Sequence, residues 1–468
     1  MESPLPAELY RALAATVGPA QVLMTPAHLT AYEHDAFLVR HQPLAVVLPD
    51  TTAEVVQVVR LAQRWGLPVT PRGAGTGLAG GATPIRGGLV VSTARLRRIV
   101  AIDAPNRRAV VQPGVINADL AQAAAVYGLT YAPDPSSQAV STVGGNVATN
   151  AGGPHCLAYG VTTNHVLAVE VVLAGGQVVH CGAAGLDTPS LDLRGLLVGS
   201  EGTLGLVTAV TVRLQPQPET AATVLAMFRS PEAAGKAASS IVAGGVIPTA
   251  LELIDPVVLR ALRLAGYQEY PETGAVLLID VEGLQEEVAE AMRAVRQRCL
   301  AVGAQDIQAA ANPAARARLW AGRKGALGAF GHLQPNYYII DGVVPRTQIA
   351  RVLRTVSAVA QRYDLLIATL MHAGDGNMHP TILFDARQPG ALARVERAGA
   401  EILRACVDAG GTLTGEHGVG LERQEFLPWV LGPQDLAAQR RVQQAFDPAD
   451  LFNPGKVFPQ SSSPHRLA

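Results

Sequence analysis

The stretch His372-Ala373-Gly374-Asp375-Gly376-Asn377-Met378-His379-Pro380 sets two imidazoles seven residues apart across a glycine-bearing turn. Leu366–His372 reads as a strand ending on the first imidazole, and the loop after it can return the second to the same point. Thr414-Gly415-Glu416-His417-Gly418-Val419-Gly420 adds a carboxylate and a third imidazole. His372, His379 and Glu416 form a donor set suited to a divalent metal that keeps open positions. Taken singly, each histidine would serve equally well as a hydrogen-bonded polar residue in a turn. Trp320-Ala321-Gly322-Arg323-Lys324 adds two cations on a helical run. A guanidinium such as Arg323 can hold a carboxylate through two parallel hydrogen bonds, and its alternative is a surface helix charge. Arg316 and Arg318, on the same run, read as solvated.

A second kind of chemistry lies in the first half of the chain. Pro71-Arg72-Gly73-Ala74-Gly75-Thr76-Gly77-Leu78-Ala79-Gly80-Gly81 holds five glycines in eleven residues. Such a backbone is bare and free to adopt positive φ, and its successive N–H groups make an anion cradle. The spacing is neither the GxGxxG of a Rossmann turn nor a P-loop. Three more small-residue stretches follow: Pro133-Asp134-Pro135-Ser136-Ser137, Ser141-Thr142-Val143-Gly144-Gly145-Asn146 and Thr149-Asn150-Ala151-Gly152-Gly153. Gly199-Ser200-Glu201-Gly202-Thr203-Leu204-Gly205 is a further loop, leading into a strand at Val207–Leu214. Several such loops suit a long dinucleotide lying against backbone better than a lone phosphate.

The elements that must carry these groups follow from periodicity. Pro6–Val17 reads as a helix, with Tyr32-Glu33-His34-Asp35 beyond it as a surface turn. Leu44–Leu48 is a buried strand, and Thr51-x-x-Glu54 caps a helix in which Val55, Val58, Val59, Ala62 and Trp65 recur at helical spacing. Strands at Leu67–Thr70, Gly88–Ser92, Arg98–Asp103, Ala109–Gln112 and a hairpin over Leu167–His180 complete the first part. Pro216 and Pro218 mark a linker. Beyond it, strands at Thr223–Phe228, Ala275–Val281, Tyr337–Val344 and Leu366–His372 alternate with helices at Pro231–Gly244, Gln285–Val302, Ala314–Gly331, Gln348–Tyr363 and Glu396–Gly410. The expected division is 1–217, 218–413 and a closing segment 414–468.

Composition narrows the class. The chain has 468 residues, a formal net charge of −1 and only 16% charged residues, so no nucleic-acid footprint is present. No apolar run reaches the roughly 18 residues of a membrane span. The N-terminus has no basic start followed by an apolar core, which makes export unexpected and a cytoplasmic location the expectation. The four cysteines are far apart with no CxxC, which predicts neither a disulfide frame nor a bound iron–sulfur cluster.

PRGAGTGLAGG, PDPSS with TVGGNVATNAGG, and LVGSEGTLGLVT (Leu197–Thr208) resemble the FAD-binding domain of the vanillyl-alcohol oxidase and p-cresol methylhydroxylase superfamily. The later histidine motifs resemble its 2-hydroxy-acid dehydrogenase branch, in particular the group that holds the glycolate oxidase flavoproteins and the D-lactate dehydrogenases. The resemblance runs from about Pro43 to Pro459. It implies an α+β fold: a two-part FAD-binding PCMH-type domain, an α+β (ferredoxin-like) substrate cap, and a C-terminal segment returning to the flavin domain. It implies FAD contacts from the glycine loops, with Glu201, Gly205, Val207 and Asn453 added. It makes His372, His379 and Glu416 ligands of zinc, manganese or iron, Arg323 with Lys324 the carboxylate anchor, and His417 the base. The reaction so implied is oxidation of a 2-hydroxy acid to the 2-oxo acid, with hydride to flavin N5 and electrons to an external acceptor. The 2-hydroxyglutarate branch has a lysine where Tyr338 stands and an asparagine where Thr381 stands, so a small monocarboxylate such as glycolate or D-lactate is expected. Covalent-flavin members carry a histidine in or near the first loop; Pro71–Gly81 has none, so FAD is expected to be non-covalent. Open alternatives are a 2-hydroxyglutarate dehydrogenase and a metallohydrolase using the His372, His379, Glu416 set. Companion flavin and iron–sulfur subunits, a homodimer and peripheral membrane association also stay open.

Overall fold

The computed structural model describes residues 5–185 and 191–460. Its chain divides into two compact units. One gathers the residues up to Gly152, Gly160–Gln217 and everything from Glu416 onward; the other consists of Gly153–Tyr159 and Pro218–Gly415. The passage into the second unit falls between Gln217 and Pro218, at the proline-marked linker. The return falls between Gly415 and Glu416, inside the motif that carries His417.

The first unit is built mainly on two sheets, with a short pairing of Leu129–Thr130 and Gln215–Pro216 besides. The smaller has the order Val22–Leu23, Ala45–Val47, Leu89–Ser92, Val69–Arg72, with its last three strands parallel. The helix Thr52–Arg64 covers it. Thr51 Oγ1 accepts from Glu54 N at 3.1 Å, and Val55, Val58, Val59 and Ala62 are buried on the sheet side. Gly66 follows at φ +61°, a conformation that ends helices. The larger sheet has five antiparallel strands, with Leu206–Arg213 between Arg108–Val111 and Val166–Val172. Alternate residues of Leu206–Arg213 are buried, as expected for a strand with one face on a core. The helix Pro433–Phe446, also in this unit, buries no residue; without an apolar stripe, nothing in its sequence announced it.

The second unit is one eight-stranded sheet. Seven strands run in the order Asp306–Ala309, Thr220–Phe228, Ala275–Gly283, Ala250–Ile254, Leu366–His372, Asn377–Phe384, Asn336–Ile339, and Gly342–Val343 also pairs with Asn377–Phe384. Helices at Pro231–Ala243, Gln285–Ala301, Ile349–Tyr363 and Ala391–Asp408 contribute to the core on one face, which includes Leu251, Leu253 and Met371. Pro256–Leu264 and Pro313–Ala329 cover the other, with Ile254, Leu278, Leu370 and Leu383.

Two expectations need correction here. The strand expected over Tyr337–Val344 is two pieces, Asn336–Ile339 and Gly342–Val343, separated at Ile340-Asp341. Asn377–Phe384, expected as a loop, is a buried strand between neighbours on both sides. The two facts share a cause. Pro380 has no N–H to donate, and it sits where the partner strand is interrupted, between the pairs Ile339–Thr381 and Gly342–Met378. The strand Ala250–Ile254 and the helix Pro256–Leu264 also went unforeseen.

Candidate active site

On the face covered by the Pro313–Ala329 helix, acids and imidazoles interrupt the apolar sheet. Glu252 and His372 are directly opposed on adjacent antiparallel strands, and His379 pairs with Leu370, one step further across the same face. Arg316, Trp320 and Arg323 follow the i, i+4, i+7 spacing, so one stripe of the helix lies over this row. Arg323 donates from Nε to Glu252 Oε2 at 2.6 Å, and its Nη2 lies 2.5 Å from the same oxygen. Glu252 Oε1 lies 2.7 Å from His372 Nδ1. The rings of His372 and His379 meet edge to face at 5.2 Å between centroids. Arg323, Glu252 and His372 are all buried. Burial pushes the Glu252 carboxyl upward, but Arg323 and His372 outweigh it and hold the group below the ordinary glutamate range.

Asp341 closes the other end of the row. It is fully buried at the break in the edge strand. Its Oδ1 lies 3.3 Å from His379 Nε2, while Oδ2 accepts from Thr414 Oγ1 at 2.5 Å and from Gly415 N at 2.9 Å. Gly415 fits because a Cβ there would stand 2.5 Å from Asn377 Cγ. The chain then continues directly into Glu416 and His417. The donor chemistry of His379 and Asp341, imidazole nitrogen with carboxylate oxygen within 4.8 Å of each other, fits a divalent cation.

Arg316 corrects an expectation: rather than being solvated, it donates to the fully buried Asp280 at 2.5 Å and to Glu282 at 2.9 Å. Trp320 Nε1 also donates to Asp280, at 2.9 Å. His155 lies near these two acids, but the guanidinium already supplies their cation. Arg318 is largely exposed beside Glu269, as expected. Lys324 is exposed and turned away from the row that holds Arg323. Tyr338 lies on the opposite face from His379 and Thr381, against Gly399 of the Ala391–Asp408 helix. Thr381 is on the same face as His379 and donates from Oγ1 to the His379 carbonyl at 3.2 Å.

In the first unit the glycine loops converge. A Cβ on Gly73 would stand 2.4 Å from Thr142 Oγ1, so the first and second loops touch through bare backbone. Thr142 caps the helix Val143–Thr149, accepting from Gly145 N at 3.1 Å. Gly199 N donates to Val147 O at 2.9 Å, and Glu201 N to Ala148 O at 2.7 Å, which brings in the third loop. Asn453 Nδ2 donates to Gly81 O at 2.8 Å and to Glu201 O at 2.7 Å, tying the C-terminal segment to two of them. A cradle whose glycines leave no room for side chains fits the long backbone contact of FAD.

Some residues expected at the cofactor serve the cradle's architecture. Arg72 turns inward, donating to His34 O at 2.8 Å and Ala31 O at 3.3 Å. Asp35, expected on a surface turn, is buried and accepts from Phe37 N and from Ala82 N, at the far end of the first loop. Gly144 and Gly205 are required by close packing on Pro113 and Val171. Gly153 groups with the second unit. Glu201, in the left-handed region at φ +52°, holds the backbone beyond His417: Oε1 accepts from Val419 N at 2.7 Å, Oε2 from Gly420 N at 2.8 Å.

Residues 43–182 match the family model of an FAD binding domain, and 217–457 that of the C-terminal domain of FAD linked oxidases. This chain belongs to the FAD-linked oxidases. It is an FAD-dependent oxidoreductase. This FAD-linked oxidase is 44% identical over 441 residues to the glycolate oxidase subunit GlcD of Escherichia coli (strain K12), covering 94% of this chain and 88% of that protein. The Bacillus subtilis (strain 168) glycolate oxidase subunit GlcD is 40% identical, with 91% and 92% covered. A D-lactate dehydrogenase of Anaerostipes hadrus is 34% identical, with 94% and 95% covered. The structure of p-cresol methylhydroxylase with substrate bound shares the fold at a TM-score of 0.81 and 18% identity, with 96% of each chain covered. Among the described residues, no helix of this oxidase is long and apolar enough to cross a membrane.

Proposed function

We propose that this FAD-linked oxidase converts a small 2-hydroxy acid, of the size of glycolate or D-lactate, to the 2-oxo acid and passes the electrons to an external acceptor. The observation that carries the reading is the buried row Arg323–Glu252–His372, with His379 and Asp341 beside it, on an otherwise apolar sheet face. Burying so much charge is costly unless it is paired and used. Similarity to glycolate oxidase subunits and a D-lactate dehydrogenase supports the substrate class.

FAD, held non-covalently by the loops around Gly73, Thr142 and Glu201, supplies the hydride acceptor at its N5 position. His372, His379 and Glu416 would hold a divalent metal, zinc, manganese or iron, and Asp341, 3.3 Å from His379, offers a further carboxylate. Arg323 spends one edge of its guanidinium, Nε and Nη2, on Glu252. The opposite edge, Nη1 with the second Nη2 hydrogen, has the fork geometry for a substrate carboxylate. His417 receives the α-hydroxyl proton, since imidazole is the side chain whose ordinary range allows this near neutrality. Thr381, short and on the His379 face, offers no second cation or amide for a distal carboxylate, which favours monocarboxylates.

Dye-linked turnover by the purified holoprotein over a panel of D- and L-hydroxy acids tests the reading. Glycolate or D-lactate should give the highest kcat/KM. If 2-hydroxyglutarate leads the panel, the assignment of substrate size is wrong.

A further inference from the structure

Glu252 has no assigned role, yet it is a fully buried carboxylate at the centre of the second unit's sheet. Its two oxygens serve different partners. Oε2 takes both contacts from Arg323, Nε at 2.6 Å and Nη2 at 2.5 Å, while Oε1 is turned to His372 Nδ1 at 2.7 Å. A glutamate that served only to neutralise a buried arginine would present both oxygens to the guanidinium fork, the stronger bidentate geometry. Here one oxygen is withheld for the imidazole. The pairing is fixed by the fold, because Glu252 and His372 are directly opposed across an antiparallel ladder.

We propose that Glu252 is a positioning residue for His372, locking the ring so that Nε2 is presented as a metal ligand, with Arg323 anchoring Glu252 in turn. An ionised carboxylate can only accept, so the hydrogen of a neutral His372 ring sits on Nδ1 and the lone pair on Nε2. Carboxylates behind ligating histidines fix ring orientation and tautomer, and their loss weakens metal affinity about 10–100-fold. The guanidinium keeps Glu252 from rotating away. This inference rests on the reading of His372 as a metal ligand.

The test is a Zn²⁺ titration of metal-depleted, FAD-loaded protein against a competing chromophoric chelator. Wild type, Glu252→Gln, and Glu252→Gln combined with Arg323→Met are compared. Glu252→Gln leaves the buried Arg323 charge without its carboxylate and can compromise folding. The double variant removes both charges and keeps the test open on folded protein. Both variants should bind Zn²⁺ about 10–100-fold more weakly than wild type. The double variant should do so with a thermal midpoint and flavin spectrum close to wild type, which a purely structural role for Glu252 would not produce. A folded variant that binds Zn²⁺ as tightly as wild type overturns the inference while leaving the metal reading intact. Wild-type protein that takes up no Zn²⁺, Mn²⁺ or Fe²⁺ overturns both.

Discussion

His417 and Arg323 carry different parts of the proposed reaction and should fail differently. Loss of a general base typically slows a reaction about 10²–10⁴-fold. His417→Ala should therefore keep its FAD and metal yet be reduced by substrate at least about a hundredfold more slowly in anaerobic stopped flow. A near wild-type rate at unchanged metal content would remove His417 from the chemistry. Arg323→Ala reaches further than substrate capture, because it strands Glu252 in a dry interior. Breaking a buried pair from one side costs about 3–5 kcal/mol, and chemical unfolding should show a loss of that order. Glu252 and Asp341 were the site residues that sequence reading missed. Their signal was present in ALELI and YIIDG, where a single acid follows or interrupts apolar residues. What hid them was the competing pull of the histidine and arginine motifs, which looked complete without them. At Tyr338 the spacing alone could not reveal that the ring lies on the sheet face opposite His379.

At the scale of elements, the glycine loops make the sharpest demand. Gly73→Ala would drive a methyl to 2.4 Å from Thr142 Oγ1, so the first or second loop must move. The purified variant should show a lower ratio of flavin to protein absorbance, and adding Thr142→Ala should restore part of it. A Gly73→Ala protein fully loaded with FAD would argue that this contact does not shape the cradle. Lys456 joins the same region from the C-terminal segment, donating to Gly81 O at 2.7 Å and to Asn453 Oδ1 at 2.6 Å. Burial pulls its ammonium down to about 7, against the opposing pull of the Asp35 and Glu201 carboxylates. An unfolded lysine holds its proton up to about 10.4, so between the two values the unfolded state binds more protons and stability rises with pH. The advantage of wild type over Lys456→Met, measured by unfolding at pH 7 and pH 9, should grow at the higher pH. A constant difference would mean that Lys456 keeps its charge in the fold. Leu366–His372 was legible to the residue because its run is apolar apart from Thr369 and the closing His372. Asn377–Phe384 was not, because Pro380 and His379 mimic a loop; only the gap in the neighbouring strand makes proline tolerable there.

For the molecule as a whole, the sequence carried the glycine loops and the proline linker clearly, because glycine and proline act locally and leave unambiguous marks. The resemblance implied a return to the first part in a segment starting at 414, and the units change at Glu416, where Glu201 accepts from Val419 and Gly420, more than two hundred residues away in the chain. With no histidine in the first loop, acid precipitation should release all of the flavin into the supernatant; yellow colour left in the pellet would mean a covalent bond. In the proposed reaction the bound FAD is reduced by a small 2-hydroxy acid. This step is tested most directly by mixing the oxidised holoprotein anaerobically with glycolate or D-lactate and following the flavin absorbance. At least one of the two should bleach the flavin fully without any added carrier. Flavin that stays oxidised with both, in protein fully loaded with FAD and metal, would contradict it.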